Sequence, residues 1–156
     1  MKTLYIIRHA DAVDGIDLPD SFRQLSKRGI EQSNYMGSRF TNLPALWYVS
    51  PALRTYATAH ILSKYQKTTP TLQLCPNLYN SRLENYLDQL FGTVDSVDSV
   101  AIVGHNPTVS ELAYHLGKST AIFKKGSIAK INFEISSWTE VATSPGTLEF
   151  FEIPAM

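Results

Sequence analysis

A single cysteine, Cys75, stands among the 156 residues, so the chain can form no internal disulfide. Charge of one sign is lacking too. Fourteen Lys and Arg balance fourteen Asp and Glu, which excludes the overall basic field of a nonspecific nucleic-acid binder and makes any anion site local. Long apolar runs are missing as well: the start, MKTLYIIRHAD, puts four consecutive apolar residues before Arg8, too few for a signal peptide or a membrane span. The expected address is the cytoplasm, with no nucleic-acid or membrane partner. There is no repeat and no low-complexity tract. At 44% hydrophobic and 18% charged, the chain is long enough for one well-filled core, so residues 1–156 are expected to form a single domain.

What is present is an alternation of short apolar runs with longer amphipathic ones. It predicts a three-layer α/β/α sandwich around a mostly parallel sheet. Strands are expected near 3–8, 46–50, 71–75 and 98–104. A first helix is expected from an N-cap at Ser26 through Ile30, Tyr35, Met36 and Phe40, ending before Pro44. A second is expected at Ser50-Pro51, with serine as cap and proline in the first helical position. Ser81 to Glu84 has the S-x-x-E form of a capping box, followed by Tyr86, Leu87, Leu90 and Phe91 up to Gly92. Pro107 is expected to open a helix that runs to Gly117. Residues 127–135 and 147–153 then read as an antiparallel pair joined by a turn at Ser144-Pro145-Gly146.

Residues 4–10 read LYIIRHA, an apolar strand that stops at Arg8-His9. Burying two adjacent cationizable groups costs several kcal/mol unless an anion meets them. Two further expected strands also end in chemistry: SPALR at 50–54 after the second, and GHNP at 104–107 after the fourth. The carboxyl ends of parallel strands share one edge, where open α/β sheets bind ligands. Arg8, His9, Arg54 and His105 should therefore converge, with the helix N-termini near 51 and 107 adding N–H groups. Everything in that set favours a phosphate.

These residues resemble the histidine phosphatase superfamily, also called phosphoglycerate mutase-like. The resemblance rests on RHA at 8–10, LSKRGIEQ at 25–32 against L-[ST]-x-x-G-x-x-Q, SPALRTYATA at 50–59 against S-x-x-x-R-x-x-x-T-[AG], and GHNP at 104–107. It spans residue 3 to beyond 117. Small size, Ala10, Phe22-Arg23 and Ser110-Glu111-Leu112 after GHNP are most similar to the SixA-type phosphohistidine phosphatase branch. The resemblance implies that His9 is a nucleophile forming a covalent phosphohistidine, and that Arg8 and Arg54 clamp the phosphoryl oxygens. His105 would donate a further hydrogen bond, and Asn106 would support His105 or offer its backbone N–H to phosphate. Neither metal nor cofactor is implied. His9 would need a bare ring nitrogen, with the other donating to a backbone carbonyl, and activity would fall at acidic pH as His9 is protonated.

Many members of that superfamily place a carboxylic acid after the third strand as proton donor; Pro76 to Asn80 here contains none. Glu84 is the nearest carboxylate, with a capping role weighed against a catalytic one, and Asp11 and Asp14 lie in the loop after His9. An imidazole leaving group can carry its own proton, so the missing acid favours phosphohistidine in a protein over sugar or glycerate phosphates. His60 and His115 lack metal-ligand spacing and read as packing or surface residues. Ser50 reads as a cap, Thr58 as a packing or back-bonding residue, and Arg23 as a surface arginine in reach of substrate. Lys124-Lys125 reads as a basic turn able to seat an acidic or protein substrate. The alternatives are a phosphatase of small phosphate esters and a noncatalytic phosphate-binding module; oligomeric state is unreadable.

Overall fold

The computed structural model describes residues 1–155. Its centre is a six-stranded sheet of β1 (Lys2–Arg8), β2 (Leu46–Val49), β3 (Thr71–Leu74), β4 (Ser99–Gly104), β5 (Ile128–Phe133) and β6 (Thr147–Glu152), in the order β3-β2-β4-β1-β5-β6. Pairs β1·β4, β2·β4 and β2·β3 are parallel, whereas β1·β5 and β5·β6 are antiparallel. Only β5 therefore runs against the rest. The sheet is mostly parallel, as the alternation of runs predicts, and the antiparallel pair lies at the expected edge.

Alternation along β1 shows why the sheet needs two covers. Leu4 and Ile6 join one buried cluster with Tyr86, Leu90, Leu112 and Trp138. Tyr5 and Ile7 join another with Met36, Trp47, Ala59 and Leu62. All four side chains are buried, so successive residues feed opposite layers. Helices α1 (Lys27–Arg39) and α2 (Leu53–Ser63) cover the second face, and α3 (Leu83–Phe91) and α4 (Thr108–Gly117) the first. No helix among the described residues is long and apolar enough to cross a membrane.

Helix starts differ from expectation in two places. Ser26 does cap α1, its Oγ accepting from the Gly29 N–H at 3.0 Å. Helix α2, however, begins at Leu53 with Ala52 in the cap position. Ser50 is fully buried, and its hydroxyl faces His105 rather than the helix. Helix α3 begins at Leu83, and Arg82 replaces Ser81 as its cap; Asn85 Oδ1, not Glu84, accepts from the Arg82 N–H at 3.1 Å. The short side chain of Asn85 closes the box that the sequence pattern assigns to a glutamate. The link from β5 to β6 is also more than a turn. Residues 134–146 carry a 3-10 segment, Trp138–Glu140, whose tryptophan is buried against the core and donates to the Val97 carbonyl at 2.6 Å.

Candidate active site

The register of the sheet gathers the site. Arg8 pairs with Gly104 across β1·β4, and Val49 with Val103 across β2·β4, so three strand ends finish side by side. His9, Ser50 and His105 are each the residue that follows one of these strands. Main-chain bonds fix them there: His9 N–H donates to the Gly104 carbonyl at 3.1 Å, and Ser50 N–H to Val103 at 3.0 Å.

His9 is held almost wholly by backbone. Its Nδ1 lies 2.7 Å from the Ala10 carbonyl oxygen. A carbonyl only accepts, so Nδ1 carries the hydrogen and Nε2 keeps its lone pair. Burial pushes the imidazole down to about 3; the Ala10 bond opposes this, and His105, Arg54 and Arg8 add to it. The expected loss of activity at acidic pH is thereby displaced. His9 remains neutral well below the range in which an exposed histidine titrates.

Thr58 ties this segment to α2. Its Oγ1 donates to the Arg54 carbonyl at 2.7 Å and accepts from the Ala10 N–H at 3.0 Å, so a back-bonding threonine also anchors the turn after His9. Gly29 serves the same turn from the other side. A Cβ there would collide with the Asp11 carbonyl oxygen, which is why the LSKRG block needs glycine.

Arg54 lies in the first turn of α2 and is only 7% exposed. Its two terminal nitrogens reach Asp20, at 2.9 Å to the carbonyl oxygen and 3.0 Å to Oδ2. One of them also lies 3.4 Å from His105 Nδ1. A guanidinium cannot accept, so Nδ1 is unprotonated and Nε2 donates to Ser50 Oγ at 2.7 Å. Burial first, then Arg54, pushes His105 down to about 4, with Asp20 opposing. Arg8 donates to the Phe123 carbonyl at 2.7 Å. Among the described residues the Nε groups of both arginines are buried without a hydrogen-bond partner, a costly state for a charged donor.

A cavity of about 200 Å³ opens beside this cluster, lined by Asp20, Arg54, Tyr79, Tyr86, His105 and Asn106 among others. His9 does not line it, but its ring centroid lies 5.3 Å from that of His105. Asn106 is clamped: Nδ2 donates to the Phe123 carbonyl at 2.9 Å and Oδ1 accepts from Ser110 at 2.7 Å. Tyr86 accepts from the His105 N–H at 3.3 Å and donates to Leu78 at 3.0 Å. A Cβ on Gly104 would strike that hydroxyl.

Other singled-out residues fall outside this cluster. Glu84 and Asp14 are exposed, and Asp11 is paired with Lys125. His60 and His115 are exposed helix residues, and the described residues hold no group of three or more His, Cys, Asp or Glu suited to a metal ion. Asp20 and Tyr79 belong to the site and escape sequence reasoning. Asp20 accepts from Tyr79 at 2.7 Å as well as from Arg54 and Arg23. Those bonds, the tyrosine's above all, hold its carboxyl far below the usual range. The only sequence signal was an acid three residues before Arg23 in a loop otherwise read for the arginine.

No family model matches the sequence, and no curated protein does. Solved structures do: the fold is that of the histidine phosphatases, phosphoglycerate mutase-like in architecture. The chain is similar over 99% of its length to a Nakamurella multipartitia protein assigned as the phosphohistidine phosphatase SixA (20% identity, TM-score 0.86, 97% of that chain). It is similar to the protein histidine phosphatase SixA complexed with tungstate (23% identity, TM-score 0.80, 97% of each chain). It is also similar to an Escherichia coli K-12 protein assigned as an alpha-ribazole-5′-P phosphatase (16% identity, TM-score 0.75, 99% of this chain and 98% of that one). At these identities the likeness establishes the fold and leaves the reaction to the site.

Proposed function

We propose that the protein is a phosphatase that passes a phosphoryl group through His9, and that its substrate is phosphohistidine in a protein. The observation that carries this reading is the state of His9: a buried, neutral imidazole with Nδ1 spent on a backbone carbonyl and Nε2 free, beside two arginines whose buried Nε groups lack partners among the described residues. Simple phosphate binding would be served better by a protonated histidine. A lone pair kept bare among cations suits attack.

Nε2 of His9 attacks phosphorus in line, forming a P–N bond as the bond to the leaving nitrogen breaks. With its other ring nitrogen protonated, the substrate's imidazole departs neutral, so no carboxylic acid is needed. Water then attacks the phosphohistidine, releasing phosphate and restoring His9. Arg8 and Arg54 neutralise the phosphoryl oxygens, and Asn106 lines the cavity beside Arg54. His105 takes part once the anion has raised its proton affinity: Nδ1 gains a proton and donates to a phosphoryl oxygen, while Nε2 stays on Ser50. These groups supply the positive charge, and the scheme needs no metal.

The test compares wild type with His9→Ala on a phosphohistidine protein, p-nitrophenyl phosphate and a panel of sugar phosphates. His9-dependent turnover of phosphohistidine alone is expected. Preference for a sugar phosphate would move the protein to the small ester phosphatases. Absence of His9-dependent turnover on every substrate would leave a phosphate-binding module.

A further inference from the structure

A second groove, of about 530 Å³, has a lining that includes Arg8, Asp11, Arg28, Gln32, Lys124 and Lys125. Four cations face one carboxylate. Asp11 is already committed, its Oδ1 to Lys125 at 2.8 Å and its Oδ2 to the Ser26 hydroxyl at 2.6 Å. Those two bonds also hold its carboxyl below the usual range. Lys125 is therefore neutralised in place. Arg28 and Lys124 are exposed and make no ion pair among the described residues.

Both free cations are fixed by the backbone next to the nucleophile. The Lys124–Gly126 turn ends on a glycine at φ +83°, and its Gly126 N–H donates to the His9 carbonyl at 3.0 Å. Arg28 precedes Gly29, the residue packed against the Asp11 carbonyl. The positive groove is thus built against residues 9–11 from two directions, and it shares Arg8 with the phosphate clamp.

We infer that this groove seats acidic side chains flanking the phosphorylated histidine of a protein substrate, an inference that rests on the function proposed above. The character of the cations selects that ligand. A site for a second phosphate on a small molecule calls for buried, bidentate arginines and backbone donors. Here one lysine and one arginine, both exposed, stand on separate segments. They attract negative charge without imposing a geometry, which suits carboxylates on a flexible segment.

Two synthetic phosphohistidine peptides test it, one with Asp and Glu flanking the phosphorylated residue and one with Asn and Gln in their place. The wild type should show a kcat/KM at least about fivefold higher for the acidic peptide at low salt, carried by KM, from two or three exposed pairs. The preference should shrink toward unity at about 0.5 M salt. The double variant R28E/K124E, checked for an unchanged melting curve, should lose or invert it, and Arg28→Gln alone should reduce it. Equal turnover of the two peptides by wild type, or a preference that survives the double variant, overturns the inference and leaves the phosphatase function standing. Selection for a small bisphosphate over its monophosphate, with the peptides equal, overturns it in favour of a second phosphate. No His9-dependent turnover of either peptide removes the proposed function, and this inference with it.

Discussion

Strand β1 carries a cation at each end, and the two are treated differently. Lys2 is 2% exposed, and its ammonium is satisfied by the Asp95 carbonyl, by the Val97 carbonyl at 3.2 Å and by Asp98 at 2.9 Å. Three donors meet three acceptors, and the charge is finished business for the fold. Arg8 has five donors but, among the described residues, one hydrogen bond to Phe123 and a buried Nε with nothing to bind. Arg54, on the same edge, repeats the pattern with an orphan Nε and a partner, Asp20, borrowed from a loop. A fully satisfied buried cation is structural, whereas an under-satisfied one held in place by its neighbours marks a place for an anion.

Substitutions at the two ends should separate activity from stability. His9→Ala should abolish turnover, and Arg54→Ala should lower kcat/KM by roughly a hundredfold to a thousandfold, the usual loss for one preorganised donor. Thermal unfolding should show both variants folded. Lys2→Met should do the reverse. It leaves three acceptors short of a donor at the other end of the sheet, for a loss of about 1–3 kcal/mol in denaturant unfolding, with kcat/KM unchanged. Activity that fell with Lys2→Met as steeply as with Arg54→Ala would dissolve the contrast.

The pH dependence sharpens it further. The folded His9 and His105 titrate at about 3 and about 4, below the ordinary value of 6.5. Between those values and 6.5 the unfolded chain binds more protons than the native one, so stability falls as pH falls. Each imidazole costs about 1 kcal/mol for each pH unit below 6.5. Melting temperature should therefore drop from pH 7 to pH 5, and less so in His9→Ala. Over the same range kcat/KM, corrected for the substrate's own titration, should not fall, and should rise toward pH 5 because His105 takes up a proton as the anion binds. An acid limb near pH 6.5 would show that His9 is exposed.

The sequence made the edge of the sheet legible because the chain itself announces it: strands at 3–8, 46–50, 71–75 and 98–104 all lie within a residue of their observed bounds. Three of them end in residues that do not belong in a core. The roles of Ser50 and Ser81 were misread for a local reason. Serine before proline, or three residues before glutamate, scores as a cap, yet Ser50 had a better partner in His105, 55 residues away. Such pairings are set by sheet order, which no local pattern carries. Asp20 was missed on the same ground. Its bonds to Arg54 and Tyr79 span 34 and 59 residues, and nothing around Pro19-Asp20-Ser21 sets that acid apart.

Asp20 supplies the smallest and most discriminating effect. Its carboxylate sits on the Arg54 fork that a phosphoryl group would need, on a 3-10 turn with no buried residue. It is ionised at working pH, so it cannot hand a proton to a leaving group in this arrangement. On the function proposed above it is instead an anion that substrate must displace or share. Asp20→Asn keeps the shape and the Tyr79 contact but removes the competing charge. Inorganic phosphate should then inhibit about two- to fivefold more strongly, the scale of one exposed ion pair. The kcat for phosphohistidine should change little, because that leaving group brings its own proton. A large fall in kcat with unchanged phosphate inhibition would make Asp20 a proton donor after all. Asp20 would then serve chemistry on the Arg54 side rather than compete with the proposed phosphate for its fork.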